Sequence, residues 1–147
     1  MKEMPNSVLL VEDNHQDEML ILRTLRKANL ANQIDIVRDG QQALDYLFCE
    51  GTFANRDPAY SPVVVLLDIN LPRVGGLEVL ARVRADRRTS LQPVVMLTSS
   101  DEEQDRLRSY ERGANSFVRK PVDFGEFAET VGRLGVYWTA TNLPPGK

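Results

Sequence analysis

Short apolar runs alternate along the chain with segments in which apolar residues recur three or four positions apart. The runs are rich in Val, Ile and Leu, which is typical of strands that are buried on both faces of a sheet. The strands predicted in this way cover residues 7–11, 34–37, 63–67, 93–97 and 116–118.

The segment after each predicted strand has the spacing of a helix with one buried side. Asn14 and Asp39 stand before the first two of these segments and predict N-caps, because their side chains accept hydrogen bonds from free backbone N–H groups. Before the last segment, Asp123-x-x-Glu126 resembles a capping box.

The last two predicted helices differ in their apolar content. The helix between residues 102 and 112 is polar, with Leu107 and Tyr110 as its main apolar anchors, so we expect it to be the least firmly packed. The last helix has the clearest apolar stripe, which consists of Phe124, Phe127, Val131, Leu134 and Trp138.

Five strands that alternate with five helices predict a doubly wound α/β fold. A five-stranded, mostly parallel sheet would lie between two layers of helices, with right-handed crossovers. Ligands of such folds bind outside the carboxyl ends of the strands. The residues that follow each strand are therefore the first place to look for chemistry.

Composition indicates one folded, water-soluble domain. Of 147 residues, 42% are hydrophobic and 27% charged, and the net charge of −3 argues against nucleic-acid binding. The lone Cys49 excludes an intramolecular disulfide and, without a Cys/His cluster, disfavours a zinc site. No apolar run has the length of a membrane span or a signal peptide, so we expect a cytoplasmic protein without a membrane partner.

Polar residues follow four of the predicted strands at the same edge of the sheet. Glu12 and Asp13 follow the first strand, Asp68 the third, Thr98 the fourth and Lys120 the fifth. Neighbouring strands lie about 4.8 Å apart, so these side chains can converge on one pocket. Acids at strand ends are common as caps, but this combination is hard to obtain by capping alone.

This set of residues indicates phosphoryl transfer. Three neighbouring carboxylates repel one another unless a cation such as Mg²⁺ neutralises them, and the backbone carbonyl of Asn70 could add an oxygen ligand. Lys120 and Thr98 offer an ammonium and a hydroxyl that can hold phosphate oxygens after Asp68 has attacked phosphorus.

Four motifs resemble those of bacterial response-regulator receiver domains: "VLLVEDN", "VVVLLDINLPRVGG", "VVMLTSS" and "FVRKPVD". The resemblance covers about residues 7–138 and implies the flavodoxin-like receiver fold. It also implies that Asp68 accepts a phosphoryl group from a sensor histidine kinase. Glu12, Asp13, Asp68 and the Asn70 carbonyl would then hold Mg²⁺ or Mn²⁺, while Thr98 and Lys120 hold the phosphoryl group.

The resemblance implies a conformational switch as well. Thr98 would move toward the phosphoryl group while Phe117 turns inward, although Phe117 could equally be an ordinary core or edge aromatic. The Lys120–Pro121 peptide bond would be cis, which only an X–Pro bond adopts at a cost as low as about 0.5–1 kcal/mol.

A finer resemblance concerns small receivers that partner bacterial and cyanobacterial phytochrome kinases. It rests on "ALDYLF", the long segment 49–61, "KPVDFGEF" and the terminal "YW". Segment 49–61 is either a partner-facing loop or a decoration of the fold. We expect a tail over residues 1–6, a receiver over 7–138, and a tail over 139–147 that is too short for an output domain. Output would then pass through a partner, a homodimer or a phosphotransfer protein.

Two other functions remain open at this point. A Mg²⁺-dependent phosphatase could pass through an aspartyl phosphate at Asp68, but Asn70 stands where an acid would help and the sequence predicts no cap domain. A dimeric binding module could act without phosphorylation. We expect a phosphoacceptor that promotes its own phosphorylation and dephosphorylation rather than an enzyme with a separate substrate.

Overall fold

The computed structural model describes residues 7–28, 33–99 and 102–145, and one parallel sheet lies at its centre. Its strands are β1 (Ser7–Val11), β2 (Gln33–Val37), β3 (Val64–Leu67), β4 (Val94–Thr98) and β5 (Ser116–Arg119), in the order β2-β1-β3-β4-β5. The predicted strands are confirmed, each within one residue at either end. The expected tail over residues 1–6 lies outside the described residues.

The helices follow the strands as predicted. They are α1 (His15–Lys27), α2 (Gly40–Phe48), α3 (Gly76–Ala85), α4 (Glu103–Glu111) and α5 (Phe124–Val136). The side chains of Asn14, Asp39 and Asp123 each accept a hydrogen bond from the N–H group three residues later, at 2.8–3.0 Å, which confirms these caps. No helix in the described ranges is long and apolar enough to cross a membrane.

Two apolar cores lie on opposite faces of the sheet. Successive side chains of a strand point to opposite faces, so Leu9 packs with α2 and α3 while Leu10 packs with α1 and α5. This arrangement explains why β1, β3 and β4 are buried along their whole length.

Helix α4 buries less than the other four α-helices of the described chain. Ser109 is its one buried residue, and the predicted anchors Leu107 and Tyr110 are 58% and 52% exposed. The prediction of a loosely packed helix is confirmed, but the prediction that Leu107 and Tyr110 anchor it is wrong, because the helix turns both side chains toward solvent.

The C-terminal helix ends differently from the prediction. Helix α5 stops at Val136, and a π-helical turn, Tyr137–Thr141, continues the chain. The hydroxyl of Thr139 donates to the carbonyl of Gly135 at 2.5 Å, a contact that competes with the regular helix pattern. Trp138 nevertheless remains 8% exposed in the core beside α1 and α5.

Arg84 joins three segments at the amino ends of β4 and β5. Its guanidinium donates to the carbonyls of Gly113, Ser90 and Gln92 at 2.8, 3.2 and 2.7 Å, and to Oδ1 of Asn115 at 2.9 Å. Burial lowers the pKa of this guanidinium. The contacts tie the end of α3 to the chain before β4 and to the turn between α4 and β5.

Segment 49–61 packs onto α2 through aromatic contacts. The guanidinium of Arg56 lies 4.2 Å from the centre of the Tyr46 ring and donates to the carbonyls of Tyr46 and Tyr60 at 2.9 and 2.6 Å. The ring of Phe53 meets that of Tyr46 edge-on at 5.2 Å. The segment therefore has its own packing, while a role toward a partner stays a prediction.

Candidate functional site

The candidate site lies at the carboxyl edge of the sheet, where β1, β3, β4 and β5 end. The parallel register aligns Val11 with Leu67 across β1 and β3, so the residues that follow these strands are neighbours. The structure brings Glu12, Asp68 and Lys120 into direct contact through this register.

Lys120 is the centre of the site. Its Nζ lies 2.5 Å from Oε1 of Glu12, 2.9 Å from Oδ2 of Asp17 and 3.0 Å from Oδ2 of Asp68. An ammonium has three N–H donors, so each donor has a carboxylate. The side chains of Lys120, Glu12 and Asp68 are 5%, 1% and 9% exposed, and these charges therefore interact with little screening by water.

Burial and charge act in opposite directions on the pKa values of this cluster. Burial raises the pKa of Glu12 to about 7, although the hydrogen bond and charge of Lys120 lower it. Burial lowers the pKa of Lys120, but the charge of Asp68 and the bond to Glu12 outweigh it and leave the pKa above its usual range. Lys120 therefore stays charged while Glu12 can take up a proton near neutral pH.

The raised pKa of Glu12 predicts a pH-dependent stability. Between pH 4.5 and about 7, folded Glu12 keeps a proton that the unfolded chain has released. Stability from this group is present below that window and lost as pH rises through it, by about 3 kcal/mol. Urea unfolding without divalent cations at about pH 4.5 and about pH 8 should show this loss in the wild type.

A Glu12→Gln variant is the control for this prediction. The amide has no proton to release, so the difference in the free energy of unfolding between variant and wild type should grow in the variant's favour as pH rises. A constant difference across the window would show that Glu12 does not titrate there.

Three carboxylates at this edge can hold a metal ion. Oxygen atoms of Glu12, Asp13 and Asp68 lie within 4.8 Å of one another, and Asp13 is exposed. An all-oxygen donor set with one solvent-facing member fits a hard divalent cation that keeps waters or a phosphate as further ligands. The residues predicted for the metal site thus lie together, and the Asn70 carbonyl as a ligand stays a prediction.

The loop after β3 holds Asp68 against the start of α3. The N–H of Asn70 donates to Oδ1 of Asp68 at 3.2 Å. A Cβ atom at Gly76 would lie 2.0 Å from the carbonyl oxygen of Asp68, so only glycine allows this close approach. The backbone around the carboxylate is therefore tightly defined.

Thr98 and Phe117 lie on the neighbouring strands β4 and β5, and their role as switch residues stays a prediction. Thr98 is the last residue of β4 and is fully buried, and its carbonyl accepts the N–H of Lys120 at 2.7 Å. Phe117 lies on the edge strand β5 opposite Met96 and is partly buried against the core beside α2 and α3.

The expectation of a cis peptide bond between Lys120 and Pro121 is wrong. The Lys120–Pro121 bond is trans, as are all other peptide bonds of the described residues. The trans isomer of an X–Pro bond is favoured by about 0.5–1 kcal/mol unless the surroundings hold the cis form. With the trans bond, Lys120 already reaches its three carboxylates, so the site geometry does not demand the cis isomer.

Asp17 is a site residue that the sequence analysis did not identify. Its position in the first turn of α1 suggested only a favourable interaction with the helix dipole, yet its carboxylate binds Lys120. The sequence has no local signal for this contact, because Asp13 and Asn14 precede α1 and the position of Asp17 depends on how the helix lies over the sheet.

Comparison with known proteins agrees with this geometry. The model of the response regulator receiver domain family matches residues 8–132. The probable methanogenesis regulatory protein FilR2 of Methanothrix harundinacea is 39% identical over 98% of this chain and 90% of its own length. Response regulator Rcp1 of Synechocystis is 33% identical over 96% of this chain and 94% of its own length.

Solved structures of similar proteins have the same fold. The Mn²⁺-bound form of Rcp1 superposes with a TM-score of 0.90 at 32% identity, over 97% of this chain and 100% of that one. The phosphorylated cyanobacterial phytochrome response regulator RcpA gives 0.90 at 34%, over 96% and 99%. The bacteriophytochrome response regulator AtBRR gives 0.74 at 51%, over 97% and 100%. The chain therefore belongs to the response regulator receiver domain family, and response regulators of phytochromes are among its relatives.

Proposed function

We propose that this receiver accepts a phosphoryl group on Asp68 from a phosphohistidine of a histidine kinase. The observation that carries the proposal is the placement of Asp68, whose carboxylate lies 3.0 Å from the Lys120 ammonium beside Glu12 and Asp13. A carboxylate oxygen of Asp68 attacks phosphorus, the P–N bond to histidine breaks, and an aspartyl phosphate forms.

The residues of the site have separate tasks in this reaction. Glu12, Asp13 and Asp68, with the Asn70 carbonyl, would hold Mg²⁺ or Mn²⁺, and the cation would offset negative charge on the phosphoryl group. When Asp68 becomes an acyl phosphate, its oxygen loses the charge that attracts Lys120. One N–H of Lys120 then turns to a phosphoryl oxygen, and the Thr98 hydroxyl donates to another.

The signal would be a change of shape rather than turnover of a separate substrate. Thr98 ends β4 and is joined through its carbonyl to Lys120, so movement of its side chain reaches β5, where Phe117 lies on the edge of the sheet. The weak burial of α4 supports a shift of this part of the surface.

The relatives support a phytochrome-type histidine kinase as the partner. RcpA and AtBRR are response regulators of phytochromes by name, and they cover almost the whole of this chain. A cytoplasmic location is consistent with such a partner. A homodimer or a phosphotransfer protein would take the signal onward.

Incubation with acetyl phosphate and Mg²⁺ tests this function. Intact-protein mass spectrometry should show the gain of one phosphoryl group, and EDTA should prevent it because the three carboxylates then lack their cation. The proposal fails if the protein gains no phosphoryl group with the cation present, or if it gains several at similar rates.

A further inference from the structure

Lys120 has one partner that the metal cluster does not include. Of its three carboxylates, Glu12 and Asp68 belong to the cluster with Asp13, whereas Asp17 does not. The Asp17 side chain is 23% exposed and lies 2.9 Å from Nζ. Within the described chain, Asp17 is thus the carboxylate that stays available to Lys120 whatever the cluster binds.

Cation binding and phosphorylation would change the other two contacts. A divalent cation at the cluster competes with Lys120 for the oxygens of Glu12 and Asp68, because both ions are positive and the carboxylates are shared. An acyl phosphate at Asp68 then shifts the negative charge from that carboxylate to the phosphoryl oxygens, and one N–H of Lys120 has to follow it. With these two contacts changed, the contact to Asp17 is the one that stays in place and limits the directions that the ammonium can take.

The turn between β1 and α1 fixes the position of Asp17 relative to Glu12. The N–H of Asn14 donates to Oε2 of Glu12 at 3.2 Å, and Oδ1 of Asn14 accepts the N–H of Asp17 at 3.0 Å. Asn14 therefore links the two acids through its own N–H group and its side chain. The carboxylate of Asp17 approaches Lys120 from this defined turn rather than from a free loop.

We propose that Asp17 is a positioning residue of the phosphorylation site, which holds Lys120 over Asp68 when the cation and the phosphoryl group have taken its other partners. This inference rests on the proposed function of Asp68. Asp17 itself touches neither phosphorus nor the attacking oxygen, and its effect passes through the direction of the Lys120 ammonium.

A purely structural role gives different expectations. As an acid in the first turn of α1, Asp17 also interacts with the helix dipole. That effect would lower stability in an Asp17→Ala variant but would not depend on Lys120. Glu126 is an exposed acid in the first turn of α5, so Glu126→Ala is a matched control that removes a comparable charge away from Lys120.

The test is a double-mutant cycle on the rate of phosphorylation by acetyl phosphate with Mg²⁺. Asp17→Ala should slow phosphorylation about tenfold, Asp17→Asn should fall between this variant and the wild type, and Glu126→Ala should match the wild type. In a Lys120→Met background, Asp17→Ala should cause no further slowing. If Lys120→Met reacts too slowly for its rate to be measured, the same double-mutant cycle is carried out on the Kd for beryllofluoride with Mg²⁺.

Two results would overturn the role of Asp17. One is an Asp17→Ala rate equal to that of the wild type, and the other is equal slowing with and without Lys120. Failure of the proposed function looks different, because Asp68→Asn would then be labelled as fast as the wild type. A second cycle on urea unfolding in EDTA reports whether Asp17 and Lys120 are coupled, independently of any phosphoryl group.

Discussion

An Asp68→Asn variant is expected to gain no phosphoryl group from acetyl phosphate, a loss in rate of at least about 100-fold. The amide oxygen carries no negative charge, so it cannot replace the carboxylate as the attacking group. The amide side chain of the variant keeps an oxygen that can accept from Lys120, and we expect the variant to fold. Intact-protein mass spectrometry over time measures the rate of phosphorylation, and a thermal melt of each sample shows whether the variant is folded.

The control for this experiment is an acid at the opposite edge of the sheet. Asp57 lies exposed in the segment after α2, where its Oδ1 accepts the N–H of Ala59 at 2.9 Å. Asp57→Asn keeps that acceptor and should be phosphorylated at the wild-type rate. If Asp68→Asn is phosphorylated as fast as Asp57→Asn, the phosphoacceptor is a residue other than Asp68.

Removal of Lys120 should cause the largest loss of stability at the site. In Lys120→Met, Glu12 and Asp68 stay buried beside each other without their cation, and a broken buried ion pair costs roughly 3–5 kcal/mol. Uptake of a proton by Glu12 relieves part of this cost, so we expect about 3 kcal/mol at about pH 8 and less at lower pH. Urea unfolding in EDTA measures the difference.

A double variant separates charge from packing in this result. Glu12→Gln with Lys120→Met removes both charges of the shortest pair, and such neutral replacements are often close to neutral in stability. It should recover most of the loss, and Mg²⁺ should recover part of it in Lys120→Met alone by binding the folded state. If the double variant is as unstable as Lys120→Met, lost packing of the lysine stem is responsible instead.

Most of the fold was predictable because strand burial is a local signal. A continuous apolar run such as Val64–Leu67 packs on both faces and needs no long-range information to be read as a central strand. Caps such as Asn14 are equally local, since donor and acceptor are three residues apart. The exposure of Leu107 was not predictable, because it depends on how little of α4 faces the sheet.

The site was predictable to the level of strand ends but not of individual contacts. Parallel topology alone places Glu12, Asp68 and Lys120 at one edge, and the structure confirms their contact. The bond between Asp17 and Lys120 joins residues 103 positions apart and depends on the tilt of α1 over the sheet, for which the sequence has no local signal. The isomer of the Lys120–Pro121 bond likewise depends on its surroundings, since the intrinsic preference is only about 0.5–1 kcal/mol.

The contacts of Arg84 fix one end of α4 and leave the other end free to move. Gly113, two residues after the end of the helix, is held by the guanidinium at the amino edge of the sheet. The other end, at Glu103, lies about 13 Å away along the nine-residue helix and follows the carboxyl end of β4. Because the chain is held at Gly113, a rotation of α4 by a few degrees moves the Glu103 end, which follows Thr98 along the chain, more than the other end. A displacement of Thr98 can thus tilt α4 about Gly113 and change the surface near Glu103 without disturbing either core.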